Sequence, residues 1–198
     1  MRATPILAHD HQKLHKNFTK HHPFCFLPSA FCLLLSAAAS CRLLSAKLER
    51  METKRLASQL RRSYEGQAWH GPSLRELLDG VTSEQAAAKP VPGAHSIWEL
   101  VLHVTAWERA ALAFVEGKKY ETLAGERDWP PVQGTWEATV AELGTAAHAL
   151  VAAVRAMPDE KLNESAGGAE YNFYFLLHGV VQHNLYHAGQ IAMLKRAL

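Results

Sequence analysis

The sequence predicts an all-α fold, a four-helix bundle. Three observations carry that expectation. Apolar residues recur at helical spacing in four long stretches, cap-forming residues stand at their ends, and no run alternates apolar and polar residues as a half-buried strand would. With 198 residues, 48% of them hydrophobic and 20% charged, the chain suffices for one ordinary core and not for two comfortable ones.

Residues 1–50 stand apart from this pattern. The lead MRATPILAHDHQKLHKNFTKHHP is polar and has no readable period; His21 and His22 read as solvated tail residues. An apolar run from Phe24 to Cys41 follows, interrupted by Pro28. Three readings stay open. It is a signal peptide with small residues at Ala37 and Ala39, or a variant with Cys41 as a lipid-attachment site, although the lead is long for a signal. Alternatively, translation starts at Met51, where the periodic sequence begins, or the segment is a genuine tail. The run is too short for a spanning helix, which needs about 20 residues. The expected organisation is therefore a segment over 1–50 that is no domain and one helical domain over 51–198, cytoplasmic unless the segment directs export.

From Glu52 the elements follow in order. Leu56, Leu60 and Tyr64 share one face of a first helix, which Gly66 and the HGP at 70–72 break. Ser73, Glu76 and Gly80 supply the cap, capping box and stop of a short amphipathic piece. The stretch SEQAAAKPVPGAH reads as a turn-rich connector because Pro90 and Pro92 forbid a continuing helix. SIWELVLHVTAWERAALAFVEG is the clearest helix, the second of the four, with Ser96 and Glu99 as capping box and Gly117 as stop. Its apolar stripe includes Ile97, Leu100, Val101, Val104, Ala111 and Phe114. A long Gly, Asp and Pro-rich loop reaches Gly134. The third helix is capped by Thr135, and the fourth runs from near Asn172 to the C-terminus.

Composition excludes several classes of function. The net charge of +2 comes from scattered lysines and arginines, which argues against a nucleic-acid surface. Cys25, Cys32 and Cys41 are the only cysteines, so the helical part has no disulfide, thiolate ligand or cysteine nucleophile. Chemistry must come from other residues, and a bundle assembles its sites from side chains on facing helices.

Histidine is the candidate. His183 and His187 are four apart, about 40° from each other on one helix face, and two imidazoles so placed form a ready divalent-metal pair. His178 falls about 140° from His183 and points elsewhere. His103 lies on or beside the apolar stripe of the second helix, where a histidine alone is commonly a satisfied core residue. Three neutral imidazoles on one metal would leave a tetrahedral position open, the arrangement of catalytic zinc. His178, His148, His95 and His70 have no comparable geometry and read as structural or exposed. Glu99 is committed to its cap, and Glu108, about 140° from His103, reads as solvated or structural. Tyr186 adjoins the pair in sequence but not on its face. Trp98 and Trp107 lie nearly opposite each other and read as separate packing residues.

Together, SIWELVLHVTAWERAAL and HGVVQHNLYHAGQIAMLKRAL resemble the DinB-like superfamily of four-helix proteins, the DinB/YfiT metalloenzyme-like group, as does the order of elements from about Met51 to Leu198. The resemblance implies a divalent metal, zinc or nickel, on His103, His183 and His187, hence a metal site between helices 2 and 4. It also matches Gly189 and Gln190 to an H-x-x-x-H-x-G-Q pattern. Gly189 reads as a close helix–helix approach and Gln190 as a partner of a ligand or polar packing. The family implies a transferase using a low-molecular-weight thiol such as bacillithiol, mycothiol or glutathione on a small-molecule substrate, and a homodimer. Metal-dependent hydrolysis, or a metal-binding stress-response or structural bundle without catalysis, are the alternatives. No catalytic acid or base is assigned.

Overall fold

Helix ends show how locally the chain specifies its elements. The computed structural model describes residues 51–198 other than Tyr120; the signal-like, misassigned-start and tail readings, and all three cysteines, lie outside the described residues. The first helix, α1 (Glu52–Tyr64), is capped from a distance: the Asp159 carboxylate accepts the N–H groups of Glu52 and Thr53, both at 2.9 Å. Those are two of the donors that a helix start leaves unpaired. Helix α2 (Leu74–Leu78) has the expected Ser73/Glu76 box.

The stretch expected to be only a connector differs. Its first five residues form a one-turn helix, α3 (Ser83–Ala87), because Thr82 Oγ1 accepts the Gln85 N–H at 3.3 Å and Gln85 Oε1 accepts the Thr82 N–H at 3.1 Å. This reciprocal cap is strong enough to start a helix that the prolines then keep short.

Helix α4 (Ile97–Val115) starts on the Ser96/Glu99 box. It ends at Gly117, whose φ of 92° lets Gly117 and Lys118 donate back to the carbonyls of Phe114 and Ala113. A loop with one 3₁₀ turn at Gly125–Arg127 leads to α5 (Trp136–Ala156), where Thr135 Oγ1 accepts from Ala138. A second 3₁₀ turn (Asp159–Asn163) precedes α6 (Phe173–Ala197), capped by Asn172. Among the described residues there is no strand.

The four long helices close into a bundle. Helices α1 and α4 each pack against both α5 and α6, which makes α1/α4 and α5/α6 the diagonals. The core falls into two apolar clusters, one around Leu74, Ile97, Leu143 and Ile191, the other around Leu56, Phe114, Leu150 and Leu177. Between them in sequence register sit Ser63, Glu108 and Asn184, all buried. Asn184 Nδ2 donates to Glu108 Oε1 at 2.7 Å and to Ser63 Oγ at 3.1 Å, which offsets part of the penalty of burying them, while Asn184 Oδ1 has no hydrogen-bond partner. Glu108 is thus structural, as expected, but it is not solvated: only 2% of it is exposed.

Close helix approach occurs at a different glycine from the one the sequence suggested. A Cβ on Gly144 of α5 would stand 2.6 Å from the Tyr64 hydroxyl of α1, so any larger residue requires the Tyr64 side chain to shift. Gly189 is exposed and a Cβ there would meet nothing within 4 Å, which corrects its reading as a contact point. Its neighbours His187, Ala188 and Ile191 take the buried side of α6, leaving Gly189 on the outer one.

Candidate metal centre

Because α4 and α6 are neighbours in the bundle, His103 meets the pair on the last helix. The Nε2 of His183 lies 3.0 Å from Nε2 of His103 and 3.1 Å from Nε2 of His187. Nitrogens from all three rings lie within 4.8 Å of one another, so the group could hold a metal ion. His103 and His187 are buried and His183 half-buried. His178 does not join them and rests against Tyr174 instead.

The outer nitrogens of two rings explain why their inner ones point into the site, whereas His183 Nδ1 is buried without a hydrogen-bond partner. His103 Nδ1–H donates to the main-chain carbonyl of Asp128 at 2.7 Å, with a carboxylate oxygen of the same residue 3.2 Å away. His187 Nδ1–H donates to Gln190 Oε1 at 2.6 Å. A proton fixed on Nδ1 leaves the Nε2 lone pair pointing inward, the state in which imidazole ligates a metal. Burial, then the nearby His187 and His103, push the His183 imidazole down to about 3. Burial also holds His187 below its usual value, against the Gln190 hydrogen bond. Both shifts favour neutral rings at His183 and His187. Lone pairs at about 3 Å repel unless a proton or a cation lies between them, and three neutral nitrogen donors suit a divalent ion. The donor set therefore fits the metal that the sequence implies.

A family model described as the DinB superfamily matches residues 68–191, which include all three histidines, Asp128 and Gln190. The chain belongs to the DinB superfamily. No curated protein and no solved structure matches it significantly.

In this DinB-superfamily chain, part of the site comes from the loop after α4, where no helical period could announce it. Asp128 holds His103 and also accepts the Trp107 indole N–H through its carboxylate at 2.8 Å. Trp129 stacks on His103, with ring centroids 4.0 Å apart and planes within 8°, and His95 stacks on Trp129 at 3.6 Å. The only sequence signal was an Asp-Trp pair just before two prolines. Trp98 and Trp107 do lie apart: Trp98 bonds Thr139 and packs on Trp136, whereas Trp107 borders the site, 5.9 Å from the His183 ring.

The remaining candidates take the places expected of them. Glu99 serves its cap and pairs with Lys89. His148 and His70 are exposed, His148 pairing with Glu65. Tyr186 is exposed, its ring edge-on to His187 with centroids 5.2 Å apart. Gln190 hydrogen-bonds His187, one of the two places that its position one turn beyond the pair suggested.

Proposed function

We propose that this DinB-superfamily chain is a divalent-metal-dependent transferase that uses a low-molecular-weight thiol on a small-molecule substrate, with His103, His183 and His187 as ligands. The observation that supports it most directly is the pairing of two Nδ1 groups with fixed oxygen acceptors, which turns the Nε2 atoms toward a common point. Zinc or nickel suits such a donor set. The ion, when bound, supplies Lewis acidity that lowers the pKa of a thiol or water at its open position.

The chain's own residues do the positioning. Asp128 and Gln190 hold two rings in one tautomer, so their donor atoms need not reorient during reaction. Trp129 covers a face of the His103 ring and limits water there. A cytoplasmic site goes with this reading, because that compartment keeps thiols reduced. Among the described residues no helix is long and apolar enough to cross a membrane. Homodimerisation is part of the proposal; exposed Tyr186 and Met193, about 20° apart around α6, support it as the contact row.

The test is a screen of thiol transfer with a panel of electrophiles, on parent and His103→Ala protein. Turnover that chelation abolishes, that zinc or nickel restores and that His103→Ala lacks is the expected result. Thiol-independent, metal-dependent hydrolysis would replace the transferase reading by a hydrolase. Tight metal binding without turnover of any probe would leave a structural metal.

A further inference from the structure

Gly179 is a glycine without a conformational reason to be one. It lies in the interior of α6, where glycine weakens a helix, and it does not use a positive φ. Nor does close packing demand it, since a Cβ there would meet nothing within 4 Å. Its position gives another reason. Phe175, Gly179 and His183 follow at intervals of four along α6, each turned about 40° from the last, and Gly179 is the missing rung between the other two.

The gap belongs to a cleft of about 240 Å³. Trp107 of α4 forms the opposite wall, Tyr171 and Phe175 one end, and His183 the other. No Lys, Arg, Asp or Glu lines it. The single polar atom of Trp107 already serves Asp128, so the indole offers the cleft only its apolar surface. Phe175 is 65% exposed, which leaves the mouth open to solvent. Water gains few partners against such walls, whereas a cavity of about 150 Å³ with apolar walls is known to take benzene.

We propose that the Gly179 cleft binds an uncharged, aromatic or similarly flat apolar group of a small molecule and holds it beside His183. One substituted ring fits the volume, and offset or edge contacts with Trp107, Tyr171 and Phe175 suit its π-face. As a statement about the enzyme's substrate this rests on the metal-dependent reading: the ring is the anchor, and the reacting end lies toward the three imidazoles. Binding of the ring itself requires no metal.

The probe is 4-fluorotoluene, followed by fluorine NMR on the full-length chain, with and without prior chelation, in parent, Gly179→Ala and Gly179→Leu proteins. Metal content, sedimentation and thermal unfolding are measured on the same samples. The parent binds saturably in both states; Gly179→Leu weakens binding by about tenfold or more because its side chain occupies the ring's space. That variant keeps the parental metal content. Gly179→Ala gives a smaller loss while raising the thermal midpoint by about 3 °C, so it carries the test if the leucine variant does not fold. Equal affinity in parent and both variants overturns the proposal, as does absence of saturable binding to the parent. Unchanged affinity with a shifted sedimentation mass would assign the cleft to a second copy instead. A parent that holds no metal yet binds the probe in a Gly179-dependent way would uphold the cleft and overturn only the metal reading.

Discussion

Replacing Glu108 by glutamine should free the protein of a pH-dependent loss of stability. The carboxyl sits between the two apolar clusters, and burial pushes it from the usual 4.5 up to about 7, against the pull of the Asn184 amide. A raised carboxyl keeps its proton in the fold where the unfolded chain has lost it. Its stabilising contribution is therefore complete below about pH 4.5 and disappears as pH rises toward about 7. A rise of roughly two and a half units, at about 1.4 kcal/mol each, makes the loss about 3 kcal/mol. The glutamine amide keeps an oxygen for Asn184 and does not titrate. Urea unfolding of chelator-treated parent and Glu108→Gln proteins, in steps from about pH 4.5 to 8.5, gives the difference directly. Other titrating groups are common to both and cancel. The advantage of the variant should start near zero, grow to about 3 kcal/mol by about pH 7, and then level off. A difference that stays flat with pH would refute the reasoning, since it would mean that the carboxylate is solvated or compensated by a charge.

Two further perturbations probe other links. Gly144→Ala should cost about 1 to 3 kcal/mol in urea unfolding despite its better helix propensity, because the new Cβ meets the hydroxyl of Tyr64, whose ring is packed in the core, and Tyr64→Phe should recover part of the loss. Gln190→Leu removes the acceptor of His187 Nδ1–H and should weaken zinc affinity by about tenfold to a hundredfold in competition titrations, while the far-ultraviolet dichroism of the bundle is unchanged.

What could be read ahead of the structure follows the range of each interaction. The caps at Ser73, Ser96, Thr135 and Asn172 are written within four residues, and the His183/His187 face follows from helical spacing alone. His103 needed the resemblance, since periodicity on one helix cannot say which side chain of another it will meet. The box of Thr82 and Gln85 was present in the sequence, but the two prolines dominated the reading of that stretch. Asp128 and Trp129 were illegible because loops have no period, and their contacts to His103 span about 25 positions of chain. The fate of Glu108 depended on how deep its helix lies between two neighbours, which an angle around one helix does not give.

The most direct test of the three-histidine centre is elemental analysis of the untagged full-length protein beside its His103→Ala variant. The segment 1–50 carries five other histidines, so the difference between the two proteins is decisive rather than the total. The account predicts that the parent holds about one equivalent more of zinc, nickel or a similar divalent metal than His103→Ala, that His183→Ala behaves like the latter, and that His178→Ala matches the parent. Equal metal content in parent and His103→Ala, after incubation with divalent ions, would contradict it.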